Sequence, residues 1–174
     1  MAWFDEAVFY QIYPLGLVGA PWSNDYGPIQ HRMQKMLPWI RHIKELNCDC
    51  IYLGPCFQSG SHGYDTTDYK TLDCRLGDNQ DLVDFVAAAH EAGLRVIFDG
   101  VFNHTGRDFF AFQDILAHRE SSQYTSWYQG LHFQGDNSYH DGFCYHSWHG
   151  YDLLPQLNQR NPEMLSYIQD VIRY

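Results

Sequence analysis

Leu94-Arg95-Val96-Ile97-Phe98-Asp99-Gly100-Val101-Phe102-Asn103-His104-Thr105 is the stretch that decides the fold. Val96, Ile97 and Phe98 form a short apolar run of residues suited to a pleated, buried surface. Gly93 precedes it at the end of a helical pattern, so the run reads as a buried parallel strand fed by a helix. Beyond Phe98 the apolar character stops, and Asp99, Gly100, Asn103 and His104 follow. In α/β architectures the side chains at strand ends face a shared crevice. A carboxylate, a carboxamide and an imidazole at one strand end describe a polar ligand site. A turn-capping Asp99 and an ordinary loop His104 are the structural alternative, and this stretch alone does not separate the two.

Upstream, Ala7–Tyr13 reads as a first strand ended by Pro14, and Gly16, Gly19, Pro21, Gly27 and Pro28 break the loop that follows. Ile40, Ile43 and Leu46 recur at helical spacing, which predicts a helix over Leu37–Leu46 with Pro38 tolerated in its first turn. Cys50–Leu53 is a second strand, and Ser59–Asp73 reads as a loop. A second helix runs from Asn79 to Ala92, capped by Asp78 with Asp81 three residues on, and stopped by Gly93. The order β-α-β-α-β implies a parallel sheet with right-handed crossovers. Both an open doubly wound sheet and part of an eightfold barrel satisfy it. The glycine-rich turn of a dinucleotide fold does not follow the first strand.

Downstream of Thr105 the alternation breaks as far as residue 160, beyond the usual connection length. Phe109–His118 reads as a short helix. Ser121–Asp152 carries turn signals and aromatic rings without a helical period, as an irregular or β-rich inserted subdomain would. Leu153–Asn158 returns to the core, and Asn161-Pro162 opens a helix with Met164, Ile168, Val171 and Ile172 on its apolar side.

The 174 residues give room for one domain with a real core. A formal charge of −10, from 11 basic and 21 acidic residues, argues against a nucleic acid or an anionic membrane as partner. No apolar run approaches a membrane span, and the N-terminus lacks the order of a signal peptide, so a cytoplasmic home is expected. Five cysteines without a compact disulfide spacing suit a reducing compartment. Cys48 and Cys50 read as buried thiols rather than as a metal pair. His140, His146 and His149 fit no standard zinc spacing. Aromatic residues make up 17% of the chain, and many stand among Gly, Asn, Asp and His. Such rings either stack on the C–H faces of sugars or pin loops, and abundance does not choose between these.

Four stretches, in order, resemble the α-amylase family of retaining α-glucan hydrolases and transferases. Val8-Phe9-Tyr10-Gln11-Ile12-Tyr13-Pro14 is similar to that family's first strand, and Tyr64-Asp65-Thr66-Thr67-Asp68-Tyr69 to its tyrosine-containing loop after strand two. Asp99-Gly100-Val101-Phe102-Asn103-His104 resembles its first signature, and Leu154-Pro155-Gln156-Leu157-Asn158 a short signature near the end of its B domain. The resemblance, closer to oligosaccharide and cyclodextrin hydrolases than to large secreted amylases, implies a partial (β/α)8 TIM barrel. Residues 1–104 would be its first three strands with their helices, 105–160 an inserted B domain, and 161–174 a barrel helix. It implies that Tyr64 stacks on a sugar ring, that His104 hydrogen-bonds the sugar's hydroxyls, and that Asp99 is a supporting carboxylate. Asn103 stands where many members place a calcium ligand; no cofactor is otherwise required. The implied ligand is an α-glucan or maltooligosaccharide.

Retaining glycoside hydrolysis needs two carboxyl groups about 5–5.5 Å apart. The family places these on later strands, and its second signature has no counterpart here, so both are expected beyond Tyr174. A barrel of this type needs roughly 250 residues. The 174 residues therefore read as the front portion of an enzyme, catalytically incomplete alone, with open edges to be covered by self-association or by a further C-terminal portion. The alternative from another class is a non-catalytic carbohydrate-binding or interaction module. An unrelated α/β enzyme pairing Asp99 with His104 is a third.

Overall fold

The computed structural model describes residues 2–174, and Met1 lies outside the described residues. The chain divides into two compact units, one of residues up to Gln58 with Thr71–Gly100, the other of Ser59–Lys70 with Val101–Tyr174.

In the first unit, strand β1 (Phe9–Ile12) runs into a single helical turn, α1 (Pro14–Leu17), and the long loop ends in helix α2 (Leu37–Glu45). Strand β2 (Cys50–Leu53) follows. A ribbon of β3 (Phe57–Ser59) and β4 (Thr66–Leu72), of which residues 59–70 belong to the second unit, precedes helix α3 (Asn79–Glu91) and strand β5 (Arg95–Phe98). The sheet order is β1-β2-β5, parallel throughout, with Ile12, Leu53 and Phe98 in register. This is the β-α-β-α-β order expected from the apolar spacing. Ile12, Ile51 and Leu53 pack with Ile40 and Ile43 of α2 and with Phe85 and Ala89 of α3.

The expectation of a buried third strand is corrected in one respect. β2 is the buried strand, while β5 lies at the sheet edge with Val96 and Ile97 half-buried and Phe98 40% exposed. An edge strand has a neighbour on one side only, so the same apolar run buries less. The Ser59–Asp73 loop is corrected too, since most of it is ribbon. Thr66, Thr67, Tyr69 and Thr71 carry β-branched or aromatic side chains that favour a strand.

Asp78 accepts from the Asp81 N–H at 3.0 Å, and Asp81 accepts from the Asp78 N–H at 2.9 Å, a reciprocal cap that starts α3. Between α1 and α2 the loop is held by Arg75, whose guanidinium bonds the carbonyls of Pro21 and Trp22 at 2.9 Å and the buried Asp73 carboxylate at 2.8 Å.

The second unit holds helix α4 (Phe110–His118), a hairpin of β6 (Ser147–Trp148) and β7 (Tyr151–Pro155), and helix α5 (Pro162–Arg173). Its own core gathers Phe109, Phe112, Ile115, Trp127, Tyr128 and Phe143. Met164 and Ile168 of α5 are buried in that core, which is why α5 belongs to the second unit. No helix among the described residues is long and apolar enough to cross a membrane.

Candidate functional site

Within the second unit, the stretch after β3 turns sharply at Gly63, whose φ of 95° lies where L side chains are strained. That turn brings the Tyr64 N–H back onto His62, which accepts it at Nδ1 over 3.1 Å. The Tyr64 carbonyl in turn accepts from Nε2–H of His104 at 3.1 Å. His104 Nδ1 lies 3.2 Å from the Asn103 carboxamide nitrogen, which can only donate. These partners assign the His104 proton to Nε2. His104 is buried, and burial holds its pKa below the ordinary histidine value, against the hydrogen bond to Tyr64. A neutral imidazole fixed in one tautomer can offer a directed hydrogen bond, whereas a solvated one samples many.

Gly106 explains how the two stretches come so close. Its N–H donates to the Thr66 carbonyl at 2.8 Å, and a Cβ there would lie 2.4 Å from the Asp65 carbonyl oxygen. Two backbones therefore touch where only glycine fits. The buried Tyr69 adds a lock, its hydroxyl 2.7 Å from the Val101 carbonyl and 2.9 Å from that of His104. On the other side, the Leu157 N–H donates to the Asn103 carbonyl at 2.9 Å and the Thr105 N–H to the Pro155 carbonyl at 3.1 Å. Three stretches singled out in the sequence, around Tyr64, His104 and Pro155, thus meet through their backbones.

The Tyr64 ring is exposed, and the half-exposed Trp148 of β6 stands 5.7 Å from the His104 ring, centroid to centroid. Exposed rings beside a directed imidazole offer an apolar face and a polar rim together. Trp148, His62 and Gly106 were not read from the sequence. A Trp inside His-Ser-Trp-His-Gly was the available signal for the first, and the glycine two residues after His104 for the last. An open cavity of about 330 Å³ lies beside the loop, lined by Ser61, Asp65, Thr67, Arg107, Asp108 and Tyr139 among others.

Asp99 belongs to the first unit, where its N–H continues the sheet by donating to the Leu53 carbonyl at 2.9 Å. In the same unit the buried Cys56 thiol is pushed up to about 12, by burial first and then by the Asp73 and Asp99 carboxylates. It is therefore a packed thiol and not a nucleophile at neutral pH.

Calcium takes six to eight oxygens. Asn103 contributes one carboxamide oxygen, and the one His/Cys/Asp/Glu cluster close enough to share an ion among the described residues is His31, Asp78 and Asp81, around the cap of α3. Loop carbonyls after α1 already face the Arg75 guanidinium. The His31, Asp78 and Asp81 cluster does not include Asn103.

A family model described as the alpha amylase catalytic domain matches residues 33–174. A cyclomaltodextrinase of Thermoanaerobacter pseudethanolicus is 34% identical across 99% of this chain, which covers 32% of that protein. Neopullulanase 2 of Thermoactinomyces vulgaris is 32% identical across 99% of this chain, again covering 32% of its length. Among solved structures, the cyclic alpha-maltosyl-(1→6)-maltose hydrolase from Arthrobacter globiformis, in complex with that cyclic sugar, superposes with a TM-score of 0.79. It shows 28% identity over 99% of this chain and 42% of its own. The chain thus spans about a third of the length of the curated relatives it matches.

Proposed function

Because this chain belongs to the alpha-amylase family, we propose that its 174 residues are the front portion of an α-glucan-acting, retaining glycoside hydrolase of the cyclomaltodextrinase and neopullulanase kind. In this reading the parallel sheet β1-β2-β5 is the first three strands of a (β/α)8 barrel, with the B domain inserted over residues 105–160 and the helix of 161–174 returning to the barrel. Tyr64 is the ring against which a glucosyl unit stacks, His104 hydrogen-bonds its hydroxyls, with Nδ1 accepting from a sugar hydroxyl in place of the Asn103 carboxamide, and Asp99 is a carboxylate that orders the site. Nothing in the reading requires a cofactor, and the setting is cytoplasmic. The proton-transfer and nucleophilic carboxylates that hydrolysis needs are supplied by polypeptide outside these residues, so the 174-residue chain binds without turning over.

The observation that carries the reading is the 3.1 Å hydrogen bond between His104 and the Tyr64 carbonyl. It joins residues from two separate signature stretches in one neutral, buried arrangement beside exposed rings. Titration calorimetry with maltotriose on the 174-residue protein tests it. Weak binding, lost on Tyr64→Ala and on His104→Ala while the circular dichroism spectrum is kept, is the expected result. Binding unchanged by both substitutions would overturn the assignment of these residues, and release of glucose or maltose by the chain alone would overturn its catalytic incompleteness.

A further inference from the structure

Asp65 is 2% exposed, and its Oδ1 makes no hydrogen bond, while Oδ2 accepts from the Ser61 hydroxyl at 2.8 Å. A buried carboxylate oxygen left without a donor is costly unless something supplies one. The nearby titratable group is His62, whose Nδ1 stands 3.5 Å from that oxygen with the ring only a quarter exposed. That same nitrogen accepts the Tyr64 N–H. One atom therefore has two competing uses. With Nδ1 unprotonated it holds the Tyr64 backbone. With a proton on Nδ1 it can no longer accept, and a donor then faces the orphaned oxygen of Asp65.

We propose that His62 is a positioning residue for Tyr64, holding it when neutral and releasing its N–H to pair with Asp65 when protonated. The titratable groups facing His62 are Asp65 and Tyr64 from its own loop and His104 from the Val101–Gly106 segment. His104 grips the carbonyl of Tyr64 and His62 its N–H, so the residue is held from both sides while His62 is neutral and from one side once Nδ1 is protonated. Gly63, at φ 95°, gives the turn that lets the two histidine contacts coexist. No covalent step is involved; a solvent proton binds Nδ1 and one hydrogen bond replaces another.

The consequence for sugar rests on the reading of Tyr64 as the stacking ring, so the test has an arm without sugar. In ¹⁵N-labelled 174-residue protein taken from pH 8 to pH 5, the range in which histidines titrate, the Tyr64 amide resonance is expected to move with the His62 ring resonances. The movement persists in His104→Gln and disappears in His62→Gln, whose carboxamide oxygen accepts the Tyr64 N–H without titrating. Should His62→Gln fail to fold, His62→Asn serves the same purpose. A Tyr64 amide that stays still while His62 titrates, or that follows His104 instead, overturns the proposal. In the second arm, maltotriose affinity is expected to fall several-fold between pH 7.5 and pH 5.5 in the wild type and to stay level in His62→Gln. Equal pH dependence in both proteins counts against positioning. Absence of binding at every pH, with the amide coupling intact, removes the sugar reading and leaves the histidine exchange standing.

Discussion

Gly106 and His104 determine whether Tyr64 can be where it is. A Cβ at Gly106 would sit 2.4 Å from the Asp65 carbonyl oxygen and 2.8 Å from its carbonyl carbon, both backbone atoms that cannot swing aside. Gly106→Ala is therefore expected to cost about 1–3 kcal/mol, the scale of overpacking, read as a lower urea midpoint, with amide shifts concentrated at Tyr64–Thr66 and His104. An unchanged midpoint would mean that the two backbones have room to part. His104 makes a second expectation, in pH. Its folded pKa lies below the unfolded value of 6.5, because burial disfavours the cation. The unfolded chain then takes up the proton more readily, so this stability is present above about 6.5 and drains as pH falls through the folded value. Urea midpoints between pH 7.5 and pH 5 should decline more steeply for the wild type than for His104→Gln. Tyr64 and His104 were legible because their residue types announce chemistry. His62 was not, since its role depends on a turn at Gly63 that composition does not reveal.

Elements were legible in proportion to their periodicity. Ile40 and Ile43 in α2, Phe85 and Ala89 in α3, and Met164 and Ile168 in α5 lie at helical spacing and are the buried positions. Asp78 could be read as a cap from its place alone, and Asp78→Ala is expected to cost about 1 kcal/mol in urea unfolding, with the loss confined to the first turn of α3 by hydrogen exchange. β4 escaped notice because its buried residues, Thr66, Tyr69 and Leu72, do not alternate. The β6–β7 hairpin was hidden for another reason. Its two turn residues, His149 at φ 49° and Gly150 at φ 81°, adopt the left-handed pair of a tight hairpin, yet strands of so few residues leave no period to detect. The second unit coheres instead through pairs that are remote in sequence. Arg107 grips Asp141 through two 2.9 Å hydrogen bonds, both side chains nearly buried, and its guanidinium lies 3.9 Å over the Tyr139 ring. Asp141→Ala leaves that cation without its partner, and about 3 kcal/mol of destabilisation is expected; a loss below 1 kcal/mol would show that Tyr145 and the rings suffice.

At the scale of the molecule, the unsatisfied feature is the sheet. Among the described residues β1 and β5 each pair on one side only, so two rows of backbone donors and acceptors are offered to another strand. Phe9 and Phe98, on those same strands, are about 40% exposed. Parallel sheets normally have both faces and both edges covered, because their strands are too apolar to stand in water. A net charge of −10 opposes aggregation, but charge repulsion is screened by salt within about 8 Å at physiological ionic strength, whereas edge pairing acts at contact. The 174-residue protein is therefore expected to self-associate as salt is raised, its mass by light scattering climbing from 20.4 kDa to at least twice that value. Ile97→Lys, which places a charge on the edge strand, should restore the smaller mass. If the wild type stays monomeric at high concentration and high salt, its open edges are already protected by the chain itself, and the sheet needs no further strand to be stable in water.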